Sequence, residues 1–205
     1  MQLIGMLDSP YVRRVAISLK LMGIPFVHRP LSVFRHYEAF AAINPVVKAP
    51  TLVTDDGIVL MESTLILDHM DGLVGADRRL HPIALTDRAR SQRLIGLALA
   101  ACEKTVQIVY ERDLRPAEKQ HGPWIDRVRG QLVAAYALIE DEIGDGEGWL
   151  LAGSRPLQAD VSVAVAWSFT RMMIPDLVDA GSYPKLVAST ARAESLPQFL
   201  DTPAA

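Results

Sequence analysis

The hydrophobic periodicity of this chain changes character once, and that change limits the architectures open to it. Up to about residue 80, short apolar runs alternate with helical patterns, as an α/β unit requires. From Thr86 onward only helical periodicity remains. Between the two, Gly72, Gly75, Asp77, Arg78, Arg79, His81 and Pro82 form a polar break. The spacing therefore predicts an N-terminal domain over 1–76, a linker over 77–85 and an all-helical domain over 86–205.

Within the first part, residues 1–7 read as a strand that delivers Ser9-Pro10 to a helix start. Val12, Val15, Ala16, Leu19 and Met22 follow at helical spacing and Gly23 stops the helix. Pro10 suits the first helical position, where its missing N–H is no loss. Ser9 has two readings: an N-cap that accepts one backbone N–H, or a hydroxyl aimed with the positive end of the helix at a ligand anion. Residues 25–30 read as a second strand, and Phe34, Tyr37, Phe40 and Ala41 as one apolar helical face. After the loop 44–50, two strands flank Asp55-Asp56-Gly57 as a hairpin. Glu62-Ser63-Thr64 then opens a helix with Ser63 as N-cap, which completes a β-α-β-α-β-β-α order.

In the helical part, Thr86-Asp87 caps a long helix that reaches about Leu114 before Pro116. Pro123 starts another, striped by Trp124, Val128, Leu132, Ala135, Tyr136 and Ile139 and closed by Gly144 and Gly146. Residues 161–167 are apolar nearly all round, as a helix in the middle of a bundle is. A last helix follows Tyr183-Pro184. Trp124, Trp149 and Trp167 read as packing residues.

Composition excludes several classes. Cys102 is the only cysteine, so no internal disulfide or cysteine-based metal cluster is available, and it reads as a small buried hydrophobe. His69 and His81 have no partner at metal spacing, so no metal is expected. Net charge is −3 and the basic residues are scattered, the pairs Arg13-Arg14 and Arg78-Arg79 reading as helix-end or surface charges, so nucleic acid is not expected as a partner. Apolar stretches are broken by charges or glycine, and no basic leader precedes an apolar core. A cytoplasmic protein, neither exported nor inserted in a membrane, is the expectation.

Four motifs in order resemble the cytosolic glutathione transferase family, in particular its serine-type and bacterial members. They are Ser9-Pro10-Tyr11-Val12-Arg13-Arg14-Val15, then Asn44-Pro45 with Lys48-Ala49-Pro50 and Leu52, then Glu62-Ser63, and Ala159-Asp160-Val161. The resemblance implies a thioredoxin-like α/β N-terminal domain and an all-α helical-bundle C-terminal domain. It also implies a homodimer that binds glutathione as co-substrate and joins its thiolate to a small hydrophobic electrophile. Ser9 is the implied thiolate donor and catalytic residue. Ala49 pairs with the cysteinyl part of glutathione through a cis bond to Pro50. Ser63 receives the γ-glutamyl carboxylate, Glu62 faces the amine, and Lys48, with His36 as the weaker choice, meets the glycyl carboxylate. The electrophile pocket is expected between the halves, near Leu7 and Tyr110. Related chemistries of the same thiolate are isomerisation, dehalogenation and peroxide reduction. A regulatory relative without turnover is the alternative from another class. Glu103 is a carboxylate that could reach glutathione across a dimer.

The chain departs from the family pattern twice. Val47 stands where the family has Gly before the Lys, and Leu157 replaces the Ser or Thr that caps the buried helix, a loss of about 1 kcal/mol. Asp160 remains able to act on the first turn of that helix.

Overall fold

The computed structural model describes residues 1–145 and 147–204. These form two compact units, one of residues 1–81 together with 195–204, the other of residues 82–194.

The first unit is built on a four-stranded mixed sheet of order β2-β1-β3-β4: β1 (Gln2–Ile4), β2 (Val27–Arg29), β3 (Thr51–Val53) and β4 (Val59–Met61). β1 runs parallel to β2 and antiparallel to β3, and β3 is antiparallel to β4. α1 (Pro10–Leu21) joins β1 to β2, α2 (Tyr37–Ala41) joins β2 to β3, and α3 (Ser63–Gly72) follows β4. Leu3 and Leu52 from the sheet, Val12, Val15 and Leu19 from α1, and Ile66, Leu67 and Met70 from α3 make one buried cluster. Burial of such side chains contributes roughly 1.5–3 kcal/mol each before the entropy of ordering them.

The strand over 1–7 is shorter than its apolar run, because Gly5 at φ +138° turns the chain out of the sheet. A Cβ there would stand 2.5 Å from Val12 Cγ2 and 3.3 Å from Ala49 Cβ, so only glycine lets β1, α1 and the 44–50 loop close on one another. α2 buries Phe40 alone, whereas Phe34 and Tyr37 are exposed; five residues are too few to present the four-residue face read from the spacing. Arg13 and Arg14 are not surface charges. They are 4% and 2% exposed, on the inward side of α1.

The second unit contains α4 (Leu85–Val109), α5 (Gly122–Glu142), α6 (Gln158–Met173) and α7 (Pro184–Glu194). α4 continues as a π-helical turn over Tyr110–Leu114, which accounts for the predicted reach to Leu114. It starts with Ala84 in the N-cap position and no side-chain cap, rather than from Thr86-Asp87. α6 is the central helix, buried from Gln158 through Trp167. Tyr136 of α5 donates its hydroxyl to the Ala166 carbonyl at 2.9 Å and lies 2.6 Å from Thr170 Oγ1, which in turn lies 2.7 Å from Thr105 Oγ1 of α4. Three helices thus share one satisfied buried network. Burial holds the Tyr136 phenol well above the usual phenolic range. Trp124 is 42% exposed at the start of α5, outside the packing stripe assigned to it. Gly146, expected to help close α5, lies outside the described residues.

Residues 195–204 belong to the sheet-bearing unit, not to the helical domain expected over 86–205. α8 (Pro197–Leu200) packs on α1, with Phe199 buried, the Arg13 guanidinium 5.6 Å from its ring centroid, and Arg13 Nε donating to the Thr202 carbonyl at 2.8 Å.

Candidate functional site

Register decides which loops of the first unit meet. Ile4 pairs with Thr51, and Thr51 with Met61. Because β3 runs against both neighbours, the exit of β1, the entry to β3 and the exit of β4 lie at one end of the sheet. Those three points lead to Ser9, follow Ala49-Pro50 and precede Glu62-Ser63.

Ser9 occupies the N-cap position of α1 with extended backbone, its carbonyl accepting from Arg13 N at 2.9 Å, yet its side chain makes no cap hydrogen bond. Of the two readings of this hydroxyl, the structure removes the cap. A donor is left at the positive end of a twelve-residue helix.

The Ala49–Pro50 peptide bond is cis, as the resemblance implies. The loop before it is held by Asn44, a buried residue whose role no local sequence signal announces. Asn44 Nδ2 donates to Thr51 Oγ1 at 2.8 Å and Asn44 Oδ1 accepts from Val46 N at 3.1 Å. Thr51 Oγ1 donates in turn to the Lys48 carbonyl at 2.7 Å. The Lys48 side chain is exposed. Val47 adopts φ +52°, the left-handed conformation for which glycine is suited. That is the physical content of the family's Gly at this position.

Ser63 is not the N-cap of α3. Glu62 is, at φ 71°, and its carboxylate accepts from Thr64 N at 3.1 Å and from Leu65 N at 3.3 Å. With Glu62 in the cap, Ser63 Oγ is left for other partners. Arg14 Nη1 donates to that oxygen at 3.0 Å, and Ser63 Oγ lies 3.4 Å from Glu62 Oε1. The start of α3 therefore seats a carboxylate already, that of its own Glu62.

His36 is exposed, its Nδ1 accepting from Ser32 N at 3.0 Å, which places the proton of the neutral ring on Nε2. Among the described residues no hydrogen bond or ion pair joins it to Ser9, Pro50 or Ser63. Leu7 is half-buried in the loop after β1; Tyr110 is exposed at the start of the π-helical turn of the second unit. Leu7 also lines a cleft of about 390 Å³ with Lys20, Phe26, His28 and Thr202. No group of three or more His, Cys, Asp and Glu able to hold a metal ion occurs among the described residues, and no helix among them is long and apolar enough to cross a membrane.

Two family models match: the glutathione S-transferase N-terminal domain over residues 3–78 and the glutathione S-transferase C-terminal domain over residues 122–188. A maleylacetoacetate isomerase of Pseudomonas aeruginosa is 30% identical over 160 residues, 72% of this chain and 71% of the isomerase. The crystal structure of a glutathione transferase family member from Pseudomonas fluorescens with bound glutathione is 30% identical, with 98% of this chain and 97% of that one covered and a TM-score of 0.85. That of a glutathione S-transferase from Methylobacterium radiotolerans in complex with glutathione sulfonate is 26% identical, covering 98% and 93%, with a TM-score of 0.90.

Proposed function

This chain belongs to the glutathione S-transferase family, and from that premise we propose that it binds glutathione at the shared end of its sheet and lowers the pKa of the thiol with Ser9. The observation that carries the proposal is the Ser9 hydroxyl, a donor at a helix N-terminus that is not spent on capping the helix. A free thiol ionises near 8.5, and lowering that by about two units needs roughly 2.7 kcal/mol of preferential thiolate stabilisation. One hydroxyl donor to an anion together with a helix N-terminus is of that size. Ser9 holds the thiolate; glutathione attacks.

In the same proposal Ala49 pairs with the cysteinyl backbone and Ser63 receives the γ-glutamyl carboxylate. Glu62, beside it at the helix start, faces the glutamyl amine. Lys48 is the first choice for the glycyl carboxylate, on an exposed loop position, and His36 the second. Leu7 and Tyr110 are the proposed electrophile contacts. A homodimer is part of the reading: β4 is an edge strand with Val59 and Met61 part-exposed, and Leu65 follows on α3 at 65% exposure, an apolar surface that an uncovered edge rarely keeps. A cytoplasmic site of action is likewise part of it.

The relative named as an isomerase favours a second reaction on the same site. There the thiolate adds to a conjugated double bond, the resulting single bond rotates, and elimination restores both the double bond and glutathione. Conjugation consumes thiol; isomerisation does not.

Glutathione titration followed by thiolate absorbance tests the proposal, with Ser9→Ala in parallel. The native chain should lower the thiol pKa, and Ser9→Ala should raise it again by one to two units with a loss of turnover of about tenfold or more. Thiol counting during turnover separates the two reactions. If the native chain does not bind glutathione, the proposal fails; if Ser9→Ala leaves the thiolate pKa unchanged, Ser9 loses its role.

A further inference from the structure

From the hydrogen bonds at the start of α3 we infer that Arg14 is a positioning residue for carboxylate recognition, fixing which way the Ser63 hydroxyl donates and supplying the buried counter-charge that lets two carboxylates meet there. The inference rests on the glutathione-binding reading above.

Arg14 lies in the second turn of α1 and is 2% exposed. Its Nη1 donates to Ser63 Oγ at 3.0 Å and reaches Thr64 Oγ1 at 3.4 Å. A guanidinium only donates, so it occupies a lone pair of the serine oxygen and the O–H must point elsewhere. It points outward: Ser63 Oγ is 3.4 Å from the carboxylate of exposed Glu62. The hydrogen-bond chain therefore runs in one direction, from a buried cation through Ser63 to a carboxylate at the surface. A serine without Arg14 behind it could accept as readily as donate; with Arg14 it is committed to donation.

Charge leads to the same assignment. The Glu62 carboxylate accepts the N–H groups of Thr64 and Leu65. A ligand carboxylate arriving at the same helix start brings a second negative charge beside the first. The helix end offers only about half a positive charge against the two. Arg14 is always protonated and shielded from solvent, so it acts across a low-dielectric path that salt screens weakly. It touches no ligand in this arrangement and works through Ser63.

The experiment compares two ligands: glutathione, and its analogue without the γ-glutamyl α-carboxylate, γ-aminobutyryl-cysteinyl-glycine. The native chain should prefer glutathione by about tenfold or more, the worth of one charge-assisted hydrogen bond. In Arg14→Met, matched in length but uncharged, the preference should shrink toward unity through loss of glutathione affinity, with the analogue's affinity nearly unchanged. Arg14→Lys, which keeps the charge but not the fork, should retain part of it. A general packing defect would weaken both ligands alike and preserve their ratio. Circular dichroism and thermal unfolding establish that each variant is folded. Should Arg14→Met not fold, the comparison is made with Arg14→Lys, whose preference must fall several-fold. A ratio equal to that of the native chain in a folded variant overturns the inference and leaves glutathione binding standing. Failure of the native chain to bind either ligand overturns the functional reading itself, and this inference with it.

Discussion

Val47 holds φ at +52° with a β-branched side chain, where a left-handed backbone costs about 1–3 kcal/mol. Val47→Gly should therefore stabilise the chain by about 1 kcal/mol after the larger entropy loss of glycine is deducted. Denaturant unfolding measures this, and unchanged or lower stability would show that the loop bears no strain at Val47. At this scale the sequence was legible wherever the signal is local. A serine before a helix-starting proline, a proline entering a strand and a glutamate-serine pair opening a helix each declare themselves in two residues. The arginines do not. Arg13-Arg14 looks like any charged pair, and what buries it, the Thr202 carbonyl and Phe199 ring for one and the Ser63 hydroxyl for the other, lies far along the chain. The exchange of cap roles between Glu62 and Ser63 is hidden for the same reason: Arg14, which claims the serine oxygen, lies 49 residues away along the chain.

Among the elements, α6 shows how a missing cap is replaced. Leu157 sits in the N-cap position with no side-chain acceptor. Asp160, from inside the first turn, accepts from Leu157 N at 2.8 Å with one oxygen and from Leu150 N at 2.8 Å with the other. It thus ties the approach to the helix as well as its start. The carboxylate is 2% exposed, and burial raises its pKa above the usual carboxylate range, against the pull of those backbone N–H groups and of Arg192. The sign follows from linkage: between the unfolded and the raised folded pKa, the native state binds more protons than the unfolded one. The contribution of Asp160 is then full at low pH and declines as pH rises through the folded value. Asp160→Asn has no charge to bury. The stability of the native chain minus that of Asp160→Asn should fall as pH climbs from the ordinary carboxylate range through the raised pKa, then level off. Denaturant midpoints across that pH series measure it, and a flat difference contradicts the assignment. The sequence shows that Leu157 lacks a side-chain cap and that Asp160 can act on the first turn, but the second bond, to Leu150, depends on how residues 150–157 approach the helix.

For the whole molecule, the change of periodicity marked the passage from sheet to helices, yet not the affiliation of the last residues. Residues 195–204 are few and carry no periodicity that names a host, so only tertiary packing assigns them to the sheet-bearing unit. Phe199, 1% exposed, is the anchor. Phe199→Ala should destabilise this unit by about 3–5 kcal/mol through lost burial and the cavity left behind. Chemical denaturation followed by hydrogen exchange at α1 amides reads the effect where it belongs, and α1 protection equal to that of the native chain would show that the tail is an ornament of α1 and not part of its core.

The return of the tail also gives the molecule a history. On the ribosome, the sheet and α1 emerge first, but the Phe199 ring that covers Arg13 is made only after the whole of the 82–194 unit has been synthesised. The unit begun earliest is finished last, and until then α1 carries an arginine whose lid has not been translated. A fragment cut at the boundary between the two units inherits that unfinished state permanently, so expressing the sheet-bearing unit alone calls for grafting 195–204 back onto it.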